Sequence, residues 1–314
     1  MNLLFIIDPP DALKAYKDTT VCMMRAAQSR GHQVSVCGQE SLAWRAGPVS
    51  ARVMRIALTD NDEDWYRPDG SAERELKEFG AVLMRKDPPF DMEYVASTWL
   101  LSEAERQGAR VFNAPQALRD HNEKFAIAEF AALTVPSLVT RDMAQLQAFI
   151  DAQRDTVLKP LSGMGGTGVF RVRRDDPNRN VIVETLAALG ACSVMAQRFI
   201  PEIAQGDKRI IVIEGRPAPY VLARIPKPGE TRGNLAAGGK GVAQPLGKRD
   251  REIAAIMGPA LAARGILFAG LDVIGNWLTE VNVTSPTCFR EIQDQTGYDA
   301  GAVFIEALEA KVAR

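Results

Sequence analysis

The chain has 314 residues, 46% hydrophobic and 25% charged, an ordinary globular composition large enough for two or three subdomains. Its 38 Lys and Arg nearly cancel 39 Asp and Glu, leaving a formal net charge of −1, which argues against a nucleic-acid-binding protein. The four cysteines, Cys22, Cys37, Cys192 and Cys288, form no CxxC pair, so neither a disulfide framework nor a zinc site is expected and a reducing cytoplasm fits best.

The opening "MNLLFIIDPP" is a short apolar run ended by Asp8-Pro9-Pro10 and reads as a first strand, not a signal peptide. No apolar run approaches the ~18 residues needed to span a bilayer, so no membrane partner is expected. Asp18 is placed to cap a helix through "TTVCMMRAAQSRG". Strands "QVSVCG", "AVLMRK" and "ARVFNA" follow, the last two separated by a helix ending at Gly108. Strands alternating with helices imply a parallel sheet covered on both faces. Residues 50–75 interrupt the alternation with a short hairpin or a long loop.

The pattern changes after "NAPQALRDHNEKFAIAEFAAL", read as helical. A strand "SLVT", a helix "DMAQLQAFIDAQ", a glycine-rich stretch, a helix "VIVETLAALG" and a strand "SVMAQRFI" come next. From Pro201 onward the chain is strand-rich, with "KRIIVIEG", "PAPYVLARI", "FAGLDVIG" and "LTEVNVT", one long helix from "REIAAIMG" and a terminal helix. The fold class is therefore α/β, becoming α+β toward the C-terminus, with domains expected at 1–121, 122–201 and 202–314. The segment 226–247, rich in Pro and Gly, is expected to be a long mobile loop with a function.

The glycine-rich stretch "TVLKPLSGMGGTGVFRVRR" has strand-like flanks on both sides and lacks the Gly-Lys-Ser/Thr of a Walker loop. It is a glycine hairpin rather than a strand-to-helix phosphate loop. Lys159 ends the strand before it, inside the apolar run "VLKPL", where an ammonium can meet phosphate as a point charge. In "LTEVNVTSPT", Glu280 and Asn282 fall on one strand face and offer oxygen to a hard cation, although a solvated strand face would look the same. Asp272 strengthens the case: a three-residue turn at 275–277 would set it opposite Glu280, a two-residue turn opposite Thr279. Arg85, Arg209 and Arg224 stand at or near strand ends and Arg232 in the long loop, a distribution suited to a polyanion and to substrate carboxylates. His32 and His121 form no catalytic pattern, and no G-x-S-x-G elbow appears.

The glycine hairpin, the lysines Lys124 and Lys159 and the late Asp…Glu-x-Asn set resemble the ATP-grasp superfamily. "LMRKDPPFD", "KPLSGMGGTGVFRV", "LARIPKPGETRGNLAAGG" and "GLDVIGNWLTEVNVTSPT" narrow the resemblance to the bacterial glutathione synthetase family, over nearly the whole chain. The resemblance implies an N-terminal substrate-binding domain, then an ATP-grasp fold of two antiparallel-sheet subdomains. It implies ATP-dependent joining of γ-glutamylcysteine to glycine through an acyl phosphate, with Mg²⁺ (or Mn²⁺ as a substitute) and a homo-oligomer, a tetramer being one form.

By the same resemblance Lys124, Lys159 and the flap glycines Gly163, Gly165 and Gly166 meet the ATP phosphates. Gln197, Arg198, Phe199 and Ile200 border the adenine, and Asp207 meets the ribose. Asp272, Glu280 and Asn282 become the metal ligands. Arg209 and Arg224 act on phosphate and on the reacting centre, while Arg85, Arg224, Arg232 and Ser285 contact substrate. Two alternatives stay open: another ATP-grasp carboxylate–amine ligase, and an ATP-binding module without catalysis.

Overall fold

The computed structural model describes residues 1–314. Its first sheet is built from β1 (Asn2–Ile6), β2 (Gln33–Cys37), β3 (Ala43–Trp44), β4 (Val49–Leu58), β5 (Tyr66–Glu75), β6 (Ala81–Met84) and β7 (Val111–Phe112). Strands β2, β1, β6 and β7 run parallel, and Leu3 to Ile6 at the centre are wholly buried. Covering helices are α1 (Thr19–Ser29), α2 (Met92–Arg106) and the short α3 (Pro115–Asp120). Asp18 caps α1 and Asp91 caps α2, each carboxylate accepting a main-chain N–H at 2.9 Å, from Val21 and Tyr94.

The interrupting segment is a hairpin of two ten-residue strands, β4 and β5, antiparallel to each other and joined to β2 through β4. It is longer than a short hairpin because β4 alternates buried and more exposed residues on both sides of a register shift at Met54–Ile56, as a one-sided strand does.

The second sheet is antiparallel: β8 (Ser137–Thr140), β9 (Asp155–Pro160), β10 (Phe170–Arg173) and β11 (Val194–Arg198), in the order β10-β9-β11-β8. Helices α4 (Met143–Gln153) and α5 (Arg179–Leu186) pack Leu146, Ile150 and Val183 against Leu158, Val172, Val194 and Ala196, a small core of its own. The third sheet, in the order β14-β13-β12-β15-β16, comprises β12 (Asp207–Ile213), β13 (Arg216–Ile225), β14 (Lys240–Pro245), β15 (Phe268–Ile274) and β16 (Trp277–Asn282). It carries α6 (Lys248–Ala263), α7 (Phe289–Thr296) and α8 (Ala300–Val312).

Two expectations change, and one helix was missed. The stretch after α3 is not one helix: it breaks at His121 and resumes as a 3-10 segment, Phe125–Leu133, kinked at Phe130 and packed beside β16. The segment 226–247 is only partly a loop, since β14 occupies Lys240–Pro245 and pairs with β13. Helix α7 went unread, because its one buried turn around Phe289 and Ile292 is too short to show a period.

The first and third sheets share apolar cores, and Asn113, just past β7, joins them. Its Nδ2 donates to Phe268 O and Val283 O, both at 2.8 Å, and its Oδ1 accepts from Leu267 N at 2.7 Å and Phe268 N at 2.9 Å. Helix α8 returns to pack on α1, where Glu309 meets Arg30 and His32. No helix is long and apolar enough to cross a membrane.

Candidate active site

A cavity of about 460 Å³ opens between the second and third sheets, bordered on one side by the first domain. Every residue expected at the ATP, metal and reacting positions lines it: Lys124, Lys159, the glycine flap, 197–200, Asp207, Arg209, Arg224, Asp272, Glu280 and Asn282, together with Arg232 and Ser285. Arg85 does not. It is buried behind Ser285-Pro286, donating from Nε to Thr20 Oγ1 at 3.1 Å and from Nη2 to Pro286 O at 2.9 Å, with Phe268 under its guanidinium.

The floor of the cavity is an ion network on three adjacent strands, set by register. Asp207 on β12 faces Arg224 on β13, and Arg209 on β12 faces Asp272 on β15. Arg209 grips Asp272 with both prongs, Nε to Oδ1 at 2.5 Å and Nη2 to Oδ2 at 3.0 Å. Arg224 Nη2 reaches Asp272 Oδ2 at 2.9 Å and Asp207 Oδ2 at 2.5 Å. Burial alone would raise the Asp272 carboxyl; the guanidinium charges of Arg209 and Arg224 outweigh it and hold the group well below the usual carboxylate range. Asp207 goes the other way: burial raises it against the pull of Arg224, and the neighbouring Asp272 charge raises it further. Its buried Oδ1 has no partner.

Asp272 stands opposite Glu280, but not by the route the turn length suggested. The turn has two residues, Gly275 and Asn276, with Ile274 facing Trp277 and Val273 facing Leu278. A β-bulge at Thr279 then restores the Asp272–Glu280 pairing, and Thr279 Oγ1 donates to Asp272 O at 3.1 Å. Asn282 donates from Nδ2 to Gly270 O and Asp272 Oδ2, each at 3.2 Å, which leaves its amide oxygen free.

Lys124 bridges two parts of the site: its Nζ donates to Gly163 O at 2.9 Å and stands 3.3 Å from Glu280 Oε1. Lys159 Nζ donates to Thr279 O at 3.1 Å. Burial lowers the Lys159 pKa; Glu280 opposes this and the Lys124 charge adds to it. Gly163, Gly165 and Gly166 all have positive φ, 99°, 66° and 83°, the left-handed region that a side chain resists, so the flap needs glycine there. The flap also touches the long loop: Arg232 Nη1 lies 3.4 Å from Gly166 O, while its Nη2 holds Glu230 at 2.6 Å.

At the far end, Gln197 turns its amide to Ser137 Oγ at 3.1 Å, and Arg198 lies over the Trp277 ring. The main-chain N–H groups of Arg198 and Phe199 are taken by Pro136 O and Asp155 O; that of Ile200 has no protein acceptor.

Among the lining residues that the sequence reading did not assign to a site are Lys14, Lys17, Asp18, Asp87 and Glu291, which bring mixed charge to the cavity. The buried Oε2 of Glu291 has no partner. Glu123 was also missed as a tether. Its Oε1 accepts from Val283 N, Thr284 N and Thr284 Oγ1 at 2.8, 2.9 and 2.9 Å, and its main-chain O accepts from Val281 N, so it anchors the strand end that carries Glu280 and Asn282. Only the position of Glu123 beside Lys124 hinted at this.

The donor set fits a hard cation. Asp272, Glu280 and Asn282 offer oxygen, the donor type a hard cation takes, and with only three such side chains an ion here would need further ligands from outside the protein. Charge agrees: the four cations Lys124, Lys159, Arg209 and Arg224 already face three carboxylates, Asp207, Asp272 and Glu280. A triphosphate added to that near balance leaves negative charge for a divalent ion to offset.

Two family models match the chain: the N-terminal domain of prokaryotic glutathione synthetase over residues 1–119 and its ATP-grasp domain over 123–297. The glutathione synthetase of Bordetella parapertussis is 58% identical over 315 residues, covering 99% of each chain. That of Nitrosomonas europaea is 55% identical over 317 residues, covering 100% of this chain and 99% of its own. That of Pseudomonas aeruginosa is 49% identical, with 100% and 99% covered. Among solved structures, D-cycloserine synthetase DcsG superposes with a TM-score of 0.70 at 16% identity, covering 99% of both chains. A RimK domain protein ATP-grasp from Sphaerobacter thermophilus does so at 0.64 and 18%, covering 98% of this chain and 99% of that one. At that identity the two structures bear on the fold alone.

Proposed function

The chain belongs to the prokaryotic glutathione synthetase family, and from that premise we propose how its residues share out the reaction. The reaction is ATP-dependent ligation of γ-glutamylcysteine to glycine, giving glutathione, ADP and phosphate. The cysteinyl carboxylate attacks the γ-phosphate and becomes an acyl phosphate; the glycine amine then attacks the acyl carbon and phosphate leaves.

Lys159 and Lys124 bind the ATP phosphates, under the flap of Gly163, Gly165 and Gly166. The 197–200 main chain holds the adenine, and Asp207 takes the ribose through its unpartnered oxygen. Asp272, Glu280 and Asn282 would hold Mg²⁺, with Mn²⁺ as a substitute, and the ion would supply positive charge to offset that of the ATP phosphates. Phosphoryl transfer depends on positioning and charge more than on covalent help, which suits a site of lysines and arginines. Arg209 and Arg224 hold the reacting carboxylate and then the oxyanion of the tetrahedral adduct. Ser285 contacts the substrate. Arg85 serves substrate binding at one remove, by fixing Pro286.

An acyl phosphate hydrolyses readily, so the loop 226–239, with Arg232 against the flap, closes the site to water. We divide the chain into a substrate domain (1–121), a lid with its own sheet (122–201) and a catalytic unit (202–314). Four unpaired cysteines suit the cytoplasm, where we place the enzyme. It acts as a homo-oligomer, supported by Met92 and Trp99, 65% and 54% exposed and seven residues apart on α2.

The observation that carries the residue assignments is the single cavity that gathers Lys124, Lys159, the glycine flap, Arg209, Arg224 and Asp272–Glu280–Asn282. The test is phosphate release from ATP and Mg²⁺ with the two substrates supplied together and singly. Release that requires γ-glutamylcysteine, with glutathione formed in step when glycine is added, supports the assignment. Release indifferent to both substrates refutes it.

A further inference from the structure

Phe199 lines the cavity at the 197–200 hinge, and the Arg171 guanidinium sits 3.6 Å from the centre of its ring. Arg171 is held in turn by Asp155, Nε to Oδ1 at 2.9 Å and Nη2 to Oδ2 at 2.6 Å. Asp155 grips the hinge a second time, its main-chain O accepting Phe199 N–H at 2.9 Å. Neither Asp155 nor Arg171 lines the cavity, so any effect on a ligand is indirect, through the lining residues they hold in place.

The geometry is more than a surface ion pair requires. Side chains 33% and 28% exposed gain little global stability from pairing. A planar fork that is bidentate on one side and stacked on an aromatic face on the other is instead a rigid local support. Arg171 also lies on β10, two residues after Val169, which closes the glycine flap and itself lines the cavity, and it pairs with Val157, another lining residue. One strand thus carries the phosphate flap at its start and the hinge support just beyond it.

We propose that the Asp155–Arg171 pair is a positioning device for the purine of the nucleotide. It fixes the Phe199 ring and with it the main chain of 197–200, so that the hinge offers one base-reading geometry, and it links that geometry to the flap through β10. The proposal rests on the nucleotide reading of the cavity given above.

The test compares Arg171→Met, which keeps the apolar stem, and Arg171→Lys, which keeps the charge, with Asp155→Asn, which leaves Arg171 unsupported. ADP binding is measured by calorimetry, and steady-state constants are measured for each substrate with ATP and with GTP. For Arg171→Met, the Kd for ADP and the KM for ATP rise together by roughly 3- to 10-fold. KM for γ-glutamylcysteine and glycine stays put, and the preference for ATP over GTP narrows. Arg171→Lys recovers part of the loss and Asp155→Asn shows a smaller version of it. ADP affinity and base preference within two-fold of the parent in both Arg171→Met and Asp155→Asn overturn the proposal. So does a uniform rise of all KM values accompanied by a fall in melting temperature. Calorimetry needs no turnover: a parent protein that binds ADP but forms no glutathione would refute the ligase reading and leave the test of the pair intact.

Discussion

Arg224 stands 2.9 Å from Asp272, and the same nitrogen reaches Asp207 at 2.5 Å, so one side chain on β13 ties a carboxylate on β12 to one on β15. The pair is assembled by sheet register, which sets Asp207 across from Arg224 and Arg209 across from Asp272. Removing Arg224 leaves Asp207 without its ion-pair partner and Asp272 with only one.

Arg224→Met is therefore expected to lose both stability and activity. Stripping one member from a buried ion network costs about 3–5 kcal/mol, readable as a lower urea midpoint. Loss of an oxyanion donor lowers kcat by ~10²–10³. Arg224→Lys restores charge without the fork and should recover more stability than rate. Equal, full recovery of both by Lys would count against a role at the reacting centre.

Lys159 carries the opposite signature. Burial depresses its pKa, so the ammonium is held in the fold at a cost that a bound phosphate would offset. Lys159→Met, of similar length and apolar, should melt roughly 2–4 °C higher without nucleotide. It should also raise the KM for ATP and cut kcat. A variant that melts lower than the parent would show that the lysine is structural.

His121 is buried, and burial, with the Arg264 charge adding to it, pushes its pKa from 6.5 down to about 4. The unfolded chain therefore binds a proton that the folded chain refuses between those values. This contribution to stability is complete above pH 6.5 and is lost as pH falls toward 4, on the order of 3 kcal/mol. His121→Gln should flatten the pH dependence of the urea midpoint across that window. An unchanged slope would rule His121 out as its source.

The two loops over the cavity meet at Gly166. A Cβ there would lie 2.8 Å from Asn234 Oδ1 and 3.2 Å from Arg232 Cδ, at a φ of 83°. Gly166→Ala should raise the KM for ATP and, by holding the loops apart, increase ATP hydrolysed per glutathione formed. Deleting part of 228–238 should uncouple the reaction further. An unchanged ratio of phosphate to glutathione in both would remove the water-excluding role of the loop.

Asn113 makes four hydrogen bonds across the joint between the first and third sheets, all at 2.7–2.9 Å. Asn113→Ala leaves two N–H and two C=O groups without partners in a buried place. The expected loss is roughly 3 kcal/mol or more, measured by urea unfolding. Little change would mean that the apolar cores alone hold the sheets together.

Much was legible in the chain itself. Asp18 marked the start of α1, and the apolar runs at 2–6, 33–37 and 81–84 marked the parallel strands, because capping and burial periodicity act over a few residues. The flap glycines were legible for the same reason: positive φ is a demand of the local backbone. Asp272, Glu280 and Asn282 were readable as an oxygen set on one hairpin. The bulge that aligns them was not, since a two-residue turn with a bulge and a three-residue turn differ by packing around Thr279 rather than by any residue signal.

The sequence by itself determined the alternation of elements, the glycine flap and the residue types of the site. Only the tertiary structure decided which of those residues meet. It set Arg85 behind Pro286 rather than in the cavity, and it brought Glu123 to residues 283–284 and Arg171 to Phe199. It also carried Asp18, Asp87 and Glu291 from distant segments to one wall. Caps, turns and strand periodicity arise from forces between near neighbours in the chain. Contacts between residues dozens or hundreds apart arise from how whole sheets register and pack, and no short stretch of sequence contains that information.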